Sequence, residues 1–272
     1  VFNTLDRMSG ARDGQSMPTW LSTHPDPGDR ATTMGRKIEQ LPPEERQGTV
    51  GRAEYMQRLA GMSFGTNPRE GYSIGRTFYH PDLEFKLRFP EGWQIVNQRN
   101  AVGALSPQKD AVVVLTLARE DSPNSAAQSF FAQQGIERGS SWRRNFHSFR
   151  TVDPSTGERR SQGLVGFVRY RERVYQLLGY SVVDSWDGYR ESAQRALASF
   201  GALTDRKYIN VHPKKIEIVE LPHAMQLNEF VERYPSTVDA ATIAILNGVA
   251  ETDTLEKGTL IKRVKGGKLP KS

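Results

Sequence analysis

The stretch "VYQLLGYSVV" (Val174–Val183) follows the two-residue repeat of a half-buried β-strand. Three other stretches share that period: "FKLRF" (Phe85–Phe89), "VVVLTLA" (Val112–Ala118) and "LVGFVRY" (Leu164–Tyr170). All are rich in the β-branched and aromatic residues that pack well on a pleated surface. We therefore predict a sheet within residues 74–200.

Two segments with helical spacing interrupt these strands: "SAAQSFFAQQG" (Ser125–Gly135) and "SWDGYRESAQRALASF" (Ser185–Phe200). A sheet that carries a few helices folds most naturally as an antiparallel α+β sandwich, and we assign it to residues 73–204. Within it we expect Trp93 and Trp186 to be core residues.

The flanking regions have other patterns. Residues 1–72 read as helical, with a helix in "VFNTLDRMSG", one after Asp26 and one from about Val50 to Leu59. Because the opening helix begins without an initiator Met or a signal peptide, we expect the chain to be the later portion of a longer protein.

Residues 206–266 read strand, helix, helix, strand, and residues 267–272 form a basic tail that we expect to be disordered. Ser236 is the expected N-cap of the second helix, with Asp239 three residues later as in a capping box. The chain is thus predicted to be an α+β protein of several domains.

The composition limits the chemistry. The chain has 37 Lys and Arg against 31 Asp and Glu, a net charge of +6, which favours an anionic partner or surface. It has no Cys, which excludes disulfides, thiolate zinc ligands and Cys nucleophiles. No apolar run approaches the ~20 residues of a membrane-spanning helix.

One histidine stands at a helix start. In "STHPDPGDR" (Ser22–Arg30), Asp26 as N-cap and Pro27 as the first helical residue predict a helix towards Leu41. His24 then lies just outside the positive end of the helix dipole, which favours a neutral imidazole with a free lone pair. The residues leave two interpretations open: a loop histidine, or a metal ligand with partners elsewhere.

This segment resembles the STHPxxxxR motif that follows the catalytic core of the BepA-like zinc metallopeptidases, relatives of HtpX and the Ste-type CAAX proteases. His24, Pro25 and Arg30 fall on matching positions. The resemblance implies the helical end of a zincin fold in residues 1–72. It also implies His24 as a zinc ligand that can occupy the place of the attacking water, and Arg30 as a catalytic-site residue that pairs with a carboxylate or with substrate.

The chain lacks the HExxH pair that such peptidases need. The remaining histidines, His80, His147, His212 and His223, show no metal-ligand spacing. We therefore expect the main zinc ligands and the general base to lie upstream of Val1, and these 272 residues alone to be inactive.

Two further resemblances concern the later domains. The turn at Pro90–Trp93 and the helix closing in Ser199-Phe200 resemble the PsbP/Mog-like α+β fold. "ILNGVAETDTLEKGTLIKRV" (Ile245–Val264) resembles the end of a LysM module, a family that binds peptidoglycan. The matching glycan loop, "ELPHAMQL" (Glu220–Leu227), lacks that family's Gly-Asp-Thr, so a spacer or partner-docking role is an equal alternative.

Together the resemblances imply the C-terminal portion of a zinc metalloendopeptidase for protein quality control or processing in the periplasm or at the outer-membrane periphery of a bacterium. The expected partners are the N-terminal catalytic part of the same protein, polypeptide substrates, and peptidoglycan or an envelope protein complex; nucleic acid is not expected. Two rivals remain: a non-catalytic adaptor or cell-wall-binding subunit, and an anionic-surface binder that uses Arg143, Arg144 and Arg150 of "SWRRNFHSFR" (Ser141–Arg150).

Overall fold

A computed structural model describes residues 27–45 and 51–271, with side chains from Thr32 onward. The chain divides into two compact units. We call residues 67–212 with 268–271 the sheet unit, and the described residues up to Thr66 with 213–267 the small unit. Both contain helices and antiparallel strands, which confirms the α+β class.

The sheet unit is built around a seven-stranded antiparallel sheet of order β4-β5-β6-β10-β9-β8-β7. Its longest ladder joins β9 and β10 from Arg173 opposite Tyr170 to Val182 opposite Ser161. The strands are β4 (Gln94–Gln98), β5 (Ala101–Leu105), β6 (Ala111–Leu117), β7 (Ile136–Arg143), β8 (Phe146–Val152), β9 (Arg159–Tyr170) and β10 (Arg173–Val182).

Helix α4 (Trp186–Ala198) packs on one face of this sheet. The approach is close, because a Cβ at Gly179 of β10 would lie only 2.8 Å from the Cβ of Ala193. Trp186 is buried, as predicted, whereas Trp93 is partly buried and packs against the same core. This face carries the larger core of the unit.

Helix α3 (Pro123–Phe131) packs on the opposite face, over β8 and β9. It begins after Ser122, whose hydroxyl accepts a hydrogen bond from the backbone N–H of Ser125 at 3.1 Å. The core beneath it comprises Ala126, Ala127, Phe130, Phe149, Val165, Phe167 and Val174.

A second sheet, of order β1-β2-β3-β11, shares the core beneath α4. Tyr79 of this sheet stacks on Tyr208 with ring centroids 4.4 Å apart, which fixes the short helix that holds Tyr208. The elements are β1 (Tyr72–Ile74), β2 (Thr77–His80), β3 (Phe85–Arg88), β11 (Gly201–Ala202) and helix α5 (Arg206–Ile209).

The small unit has the predicted order of strand, helix, helix, strand. Its outer strands pair antiparallel from Lys214 opposite Gly266 to Glu220 opposite Leu260. A second, two-residue ladder joins the loops at its other end. The elements are β12 (Lys214–Glu220), β13 (Met225–Gln226), α6 (Leu227–Arg233), α7 (Ala240–Asn247), β14 (Thr254–Leu255) and β15 (Leu260–Gly266).

The segment before the sheet unit also belongs to the small unit. Helix α1 (Pro27–Glu39) and helix α2 (Arg52–Leu59) confirm the two predicted helices in this part of the chain. After α2, residues 61–64 pair with β12 through an isolated antiparallel bridge at Ser63: Gly61 N–H donates to the carbonyl of Ile216, and Phe64 N–H to that of Lys214, both at 2.8 Å. The sequence pattern gave no sign of this pairing.

Three predicted details differ in the structure. The N-cap of α7 is Asp239, which accepts from Thr242 N–H at 2.7 Å, rather than Ser236. The Ser236 hydroxyl instead donates to the carbonyl of Val264 on β15. The tail expected to be disordered is tied to the sheet unit, since the Lys271 carbonyl accepts from Lys207 Nζ at 3.0 Å. The simplest expectation for "SWRRNFHSFR" is one two-faced strand with its Arg side chains outward, but the segment is a hairpin, because the chain turns at Asn145, with φ of 65°.

Candidate functional site

Of the two residues assigned to a zinc switch, only Arg30 falls within the described part of the chain. His24 lies outside the described residues. Arg30 falls in the first turn of α1, which begins at Pro27 as the Asp-Pro signal predicts. The structure therefore places the backbone of Arg30 on a helix and leaves the role of both residues a prediction.

The described histidines are not zinc ligands in any shared site. Within residues 27–45 and 51–271, no three His, Asp or Glu side chains lie close enough to hold a metal ion. His80 Nδ1 accepts a hydrogen bond from Leu83 N–H at 3.2 Å, and burial lowers its pKa. His147 lies beside Arg138 and under Phe131, and burial and that guanidinium lower its pKa. The residues described here do not fit a zinc site.

The sheet unit has a cleft of about 420 Å³ on the face that α4 covers. It lies between the N-terminal turns of α4 and the end of the sheet formed by β7, β8 and β9. We call it the β7–α4 cleft. Its lining includes Glu137, Gly139, Ser140, Trp142, Ser148, Arg150, Gln162, Leu164, Trp186, Arg190 and Gln194.

Strand register brings the charged side chains of this cleft together. Arg150 on β8 is paired with Glu137 on β7 and with Gln162 on β9. Among the described residues, the exposed Arg150 guanidinium forms no ion pair and no hydrogen bond. Across the cleft, Arg190 of α4 donates to Asp187 at 2.8 Å, an exposed pair one helical turn away. With Arg138, three arginines and one carboxylate, that of Glu137, line the cleft, so its charge is positive.

Two indole side chains line the cleft without offering an open ring face. Trp142 meets Phe146 edge to face at 5.7 Å, and the Arg143 guanidinium lies 5.0 Å from the centroid of the Trp142 ring. Trp186 is only 2% exposed. The aromatic groups therefore shape the cleft and leave the polar side chains to contact a ligand.

Sequence reasoning found part of this site. Arg143, Arg144 and Arg150 were singled out, but only Arg150 enters the cleft lining. Arg190 and Gln194 were missed because α4 is far from β8 along the chain. The available signal was their spacing: Trp186, Arg190 and Gln194 recur every four residues, which places them on one face of a helix.

The loop that resembles the LysM glycan loop is held by side-chain burial. Met225 is 2% exposed and pairs with Leu255, so the loop after β12 is tied to the loop before β15. Asn247 holds the edge of β15 by donating to the carbonyl of Lys262 and accepting from its N–H. These contacts stabilise the unit and do not substitute for the missing Gly-Asp-Thr.

No protein-family model and no curated protein sequence matches the chain. Solved structures with similar backbones include the Saccharomyces cerevisiae Ran-binding protein Mog1p, at 7% identity over 48% of this chain and 97% of that chain, TM-score 0.36. Cyanobacterial PsbP from Synechocystis is 13% identical over 52% of this chain and 98% of its own, TM-score 0.34. LpqN of Mycobacterium tuberculosis, described as involved in cell envelope biogenesis, is 12% identical over 57% and 98%, TM-score 0.29. TM-scores below 0.5 do not establish a fold family.

In the described part of the chain, no helix has the length and apolarity to cross a membrane.

Proposed function

We propose that this chain is the C-terminal portion of a zinc-dependent metalloendopeptidase of the bacterial cell envelope. The observation that carries the proposal is the helix that begins at Pro27, directly after the STHP segment. Arg30 lies in its first turn, and His24 precedes its first residue by three positions in the sequence, which supports the resemblance to BepA-like peptidases.

The helix start has a chemical consequence for His24. In this proposal His24 acts as a neutral imidazole that donates its lone pair to the metal, because partial positive charge at a helix N-terminus disfavours an imidazolium. Arg30 follows within the first helical turn, where its guanidinium can pair with a carboxylate or a substrate carbonyl. In the complete protein, zinc bound mainly by residues upstream of Val1 would supply the polarisation that turns water into a nucleophile.

The remaining domains have a supporting role in this proposal. The sheet unit would be a PsbP/Mog-like domain, and residues 206–266 a LysM-like domain. Placed in the periplasm or at the outer-membrane periphery, they would hold the catalytic part near polypeptide substrates, an envelope protein complex or peptidoglycan.

The test is the full-length protein with His24→Ala. If His24 closes the zinc site, the substitution raises the rate of peptide cleavage and leaves the zinc content unchanged, because a catalytic zinc keeps one position open for water. The matched control is His223→Ala, which removes an exposed histidine from the small unit. An unchanged cleavage rate in His24→Ala would refute the switch.

The alternative is a non-catalytic adaptor or cell-wall-binding subunit, favoured by the observed order of elements in the small unit. An HExxH motif in the sequence upstream of Val1 would support the peptidase, and calorimetric titration of the chain with chitooligosaccharides tests the wall-binding form of the alternative. We expect weak binding or none, because the loop before Leu227 lacks Gly-Asp-Thr. A dissociation constant in the low micromolar range, about −8 kcal/mol, would favour the wall-binding alternative.

A further inference from the structure

We propose that the β7–α4 cleft binds an extended, acidic segment of polypeptide, with Arg150 and Arg190 pairing with its carboxylates. The inference goes beyond the proposed function, since it concerns the sheet unit alone and holds whether or not the protein cleaves peptides. The cleft volume of about 420 Å³ is within the range of ligand-binding clefts.

The charged groups point to an anionic ligand. Among the described residues the Arg150 guanidinium forms no ion pair and no side-chain hydrogen bond, and the Arg190 guanidinium pairs only with the exposed Asp187. Each guanidinium therefore retains donors that match the two oxygens of a carboxylate. The exposed Arg143 and Arg144 at the turn of the β7–β8 hairpin add positive charge at the rim, which attracts an anion over a longer range.

The neutral polar groups point to a peptide backbone. Gln162 and Gln194 each carry a donor and an acceptor, and the Ser148 hydroxyl, which donates to the Ser140 carbonyl at 3.2 Å, keeps its acceptor lone pairs. An extended peptide presents the same two groups in alternation along its length.

The aromatic groups argue against a saccharide or a nucleic acid. Both ligands are usually recognised by stacking on an open aromatic face. Arg143 covers a face of Trp142, Phe146 packs against it edge to face, and Trp186 is buried. A flexible acidic peptide needs no such platform, and its apolar side chains can contact the exposed edge of the indole.

The experiment measures binding of a fluorescein-labelled hexapeptide, Gly-Asp-Val-Asp-Ala-Gly, to the whole chain by fluorescence anisotropy at low salt. The control peptide has Asn in place of both Asp residues and is otherwise identical. We expect the acidic peptide to bind at least about tenfold more tightly than the Asn peptide, because each charge-assisted pair contributes more than a neutral hydrogen bond.

The variants locate the binding. The double substitution Arg150→Gln, Arg190→Gln should weaken binding of the acidic peptide at least about tenfold, with an unchanged circular dichroism spectrum. The matched control is Arg99→Gln, an exposed arginine beyond β4, at the opposite edge of the same sheet. It should change binding by less than about twofold.

Three results would overturn the proposal: no binding of the acidic peptide, equal binding of the two peptides, or a loss of affinity in Arg99→Gln as large as that in the double variant. A fourth is preference for another class of ligand. If digalacturonic acid, an acidic disaccharide, displaces the peptide at lower concentration than unlabelled peptide does, then the cleft is a saccharide site.

Discussion

The two faces of the seven-stranded sheet differ at the end formed by β7, β8 and β9. Under α3 the face is closed, with Phe130 packed against Phe149 and Phe167 at ring-centroid distances of 5.4 and 5.9 Å. Under α4 the same strands border the β7–α4 cleft, where Arg150 and Gln162 are accessible. Side chains that alternate along one strand thus have two different roles: those on one face stabilise the fold, and those on the other face can bind a ligand.

The difference comes from which residue type falls on which face. On β8, the buried His147 and Phe149 point towards α3, and the intervening Ser148 and Arg150 line the cleft. Because the period of a strand is two, a shift of one residue in register would exchange these sets. Substitutions on the two faces should therefore separate stability from binding.

The largest effect is expected beneath α3. Phe167→Ala removes a side chain that is fully buried among Phe130, Phe149 and Val165, and should lower the free energy of unfolding by about 3–5 kcal/mol. Urea denaturation measures the loss. The same change on the cleft face, Phe146→Ala, should cost less because Phe146 is only partly buried. Equal losses at the two positions would contradict the distinction between the faces.

A smaller effect is expected at Gly166 of β9, on the cleft face. A Cβ there would overlap the ring of Phe146, so Gly166→Ala should lower the free energy of unfolding by about 1–3 kcal/mol. Combining it with Phe146→Ala removes the clash, and the double variant should lose less than the sum of the two single losses. Strict additivity would show that the ring does not lie over Gly166.

Lowering the pH should destabilise the folded protein through His147, which is buried on the α3 face of the sheet. Burial and Arg138 lower the pKa of His147 in the folded protein, so the unfolded chain binds the proton more readily. The free energy of unfolding should therefore fall as the pH drops through about 6.5, the histidine pKa of the unfolded chain. His147→Gln should make the difference in unfolding free energy between pH 8 and pH 5 smaller. A larger difference in the variant would contradict this assignment.

The smallest effect on stability is expected in the cleft. Replacing Arg150 and Arg190 by Gln should change the free energy of unfolding by less than about 0.5 kcal/mol, because both side chains are exposed and only one forms an ion pair. Urea denaturation of this double variant beside Phe167→Ala checks it. A loss above 1 kcal/mol would mean that the cleft arginines serve the fold.

Much of the fold followed from residue periodicity. Val174–Val183 and Leu164–Tyr170 are indeed adjacent strands, and α4 lies where the spacing of Trp186 and Ala193 predicts a helix. The pairing of residues 61–64 with β12 was not predicted, since it depends on backbone hydrogen bonds rather than on side-chain pattern. The structure divides the chain near residues 66 and 213, whereas composition suggested 72 and 205.

The site was less predictable than the fold. Arg150 was found through its neighbours in sequence, but its approach to Arg190 depends on the packing of α4 against β9 and β10. Such a contact between distant segments has no local signature. The roles of His24 and Arg30 remain predictions that rest on the resemblance of their segment to a peptidase family.

Hydrogen exchange of the whole chain, with and without the acidic hexapeptide, tests most directly whether the cleft face is the binding face. We expect the peptide to slow exchange of backbone amides in Ile136–Val152 and around Arg190 of α4, while amides of α3 exchange as before. Slowed exchange confined to the opposite edge of the sheet around Arg99, or to the small unit, would contradict the assignment of the β7–α4 cleft as the polypeptide-binding site.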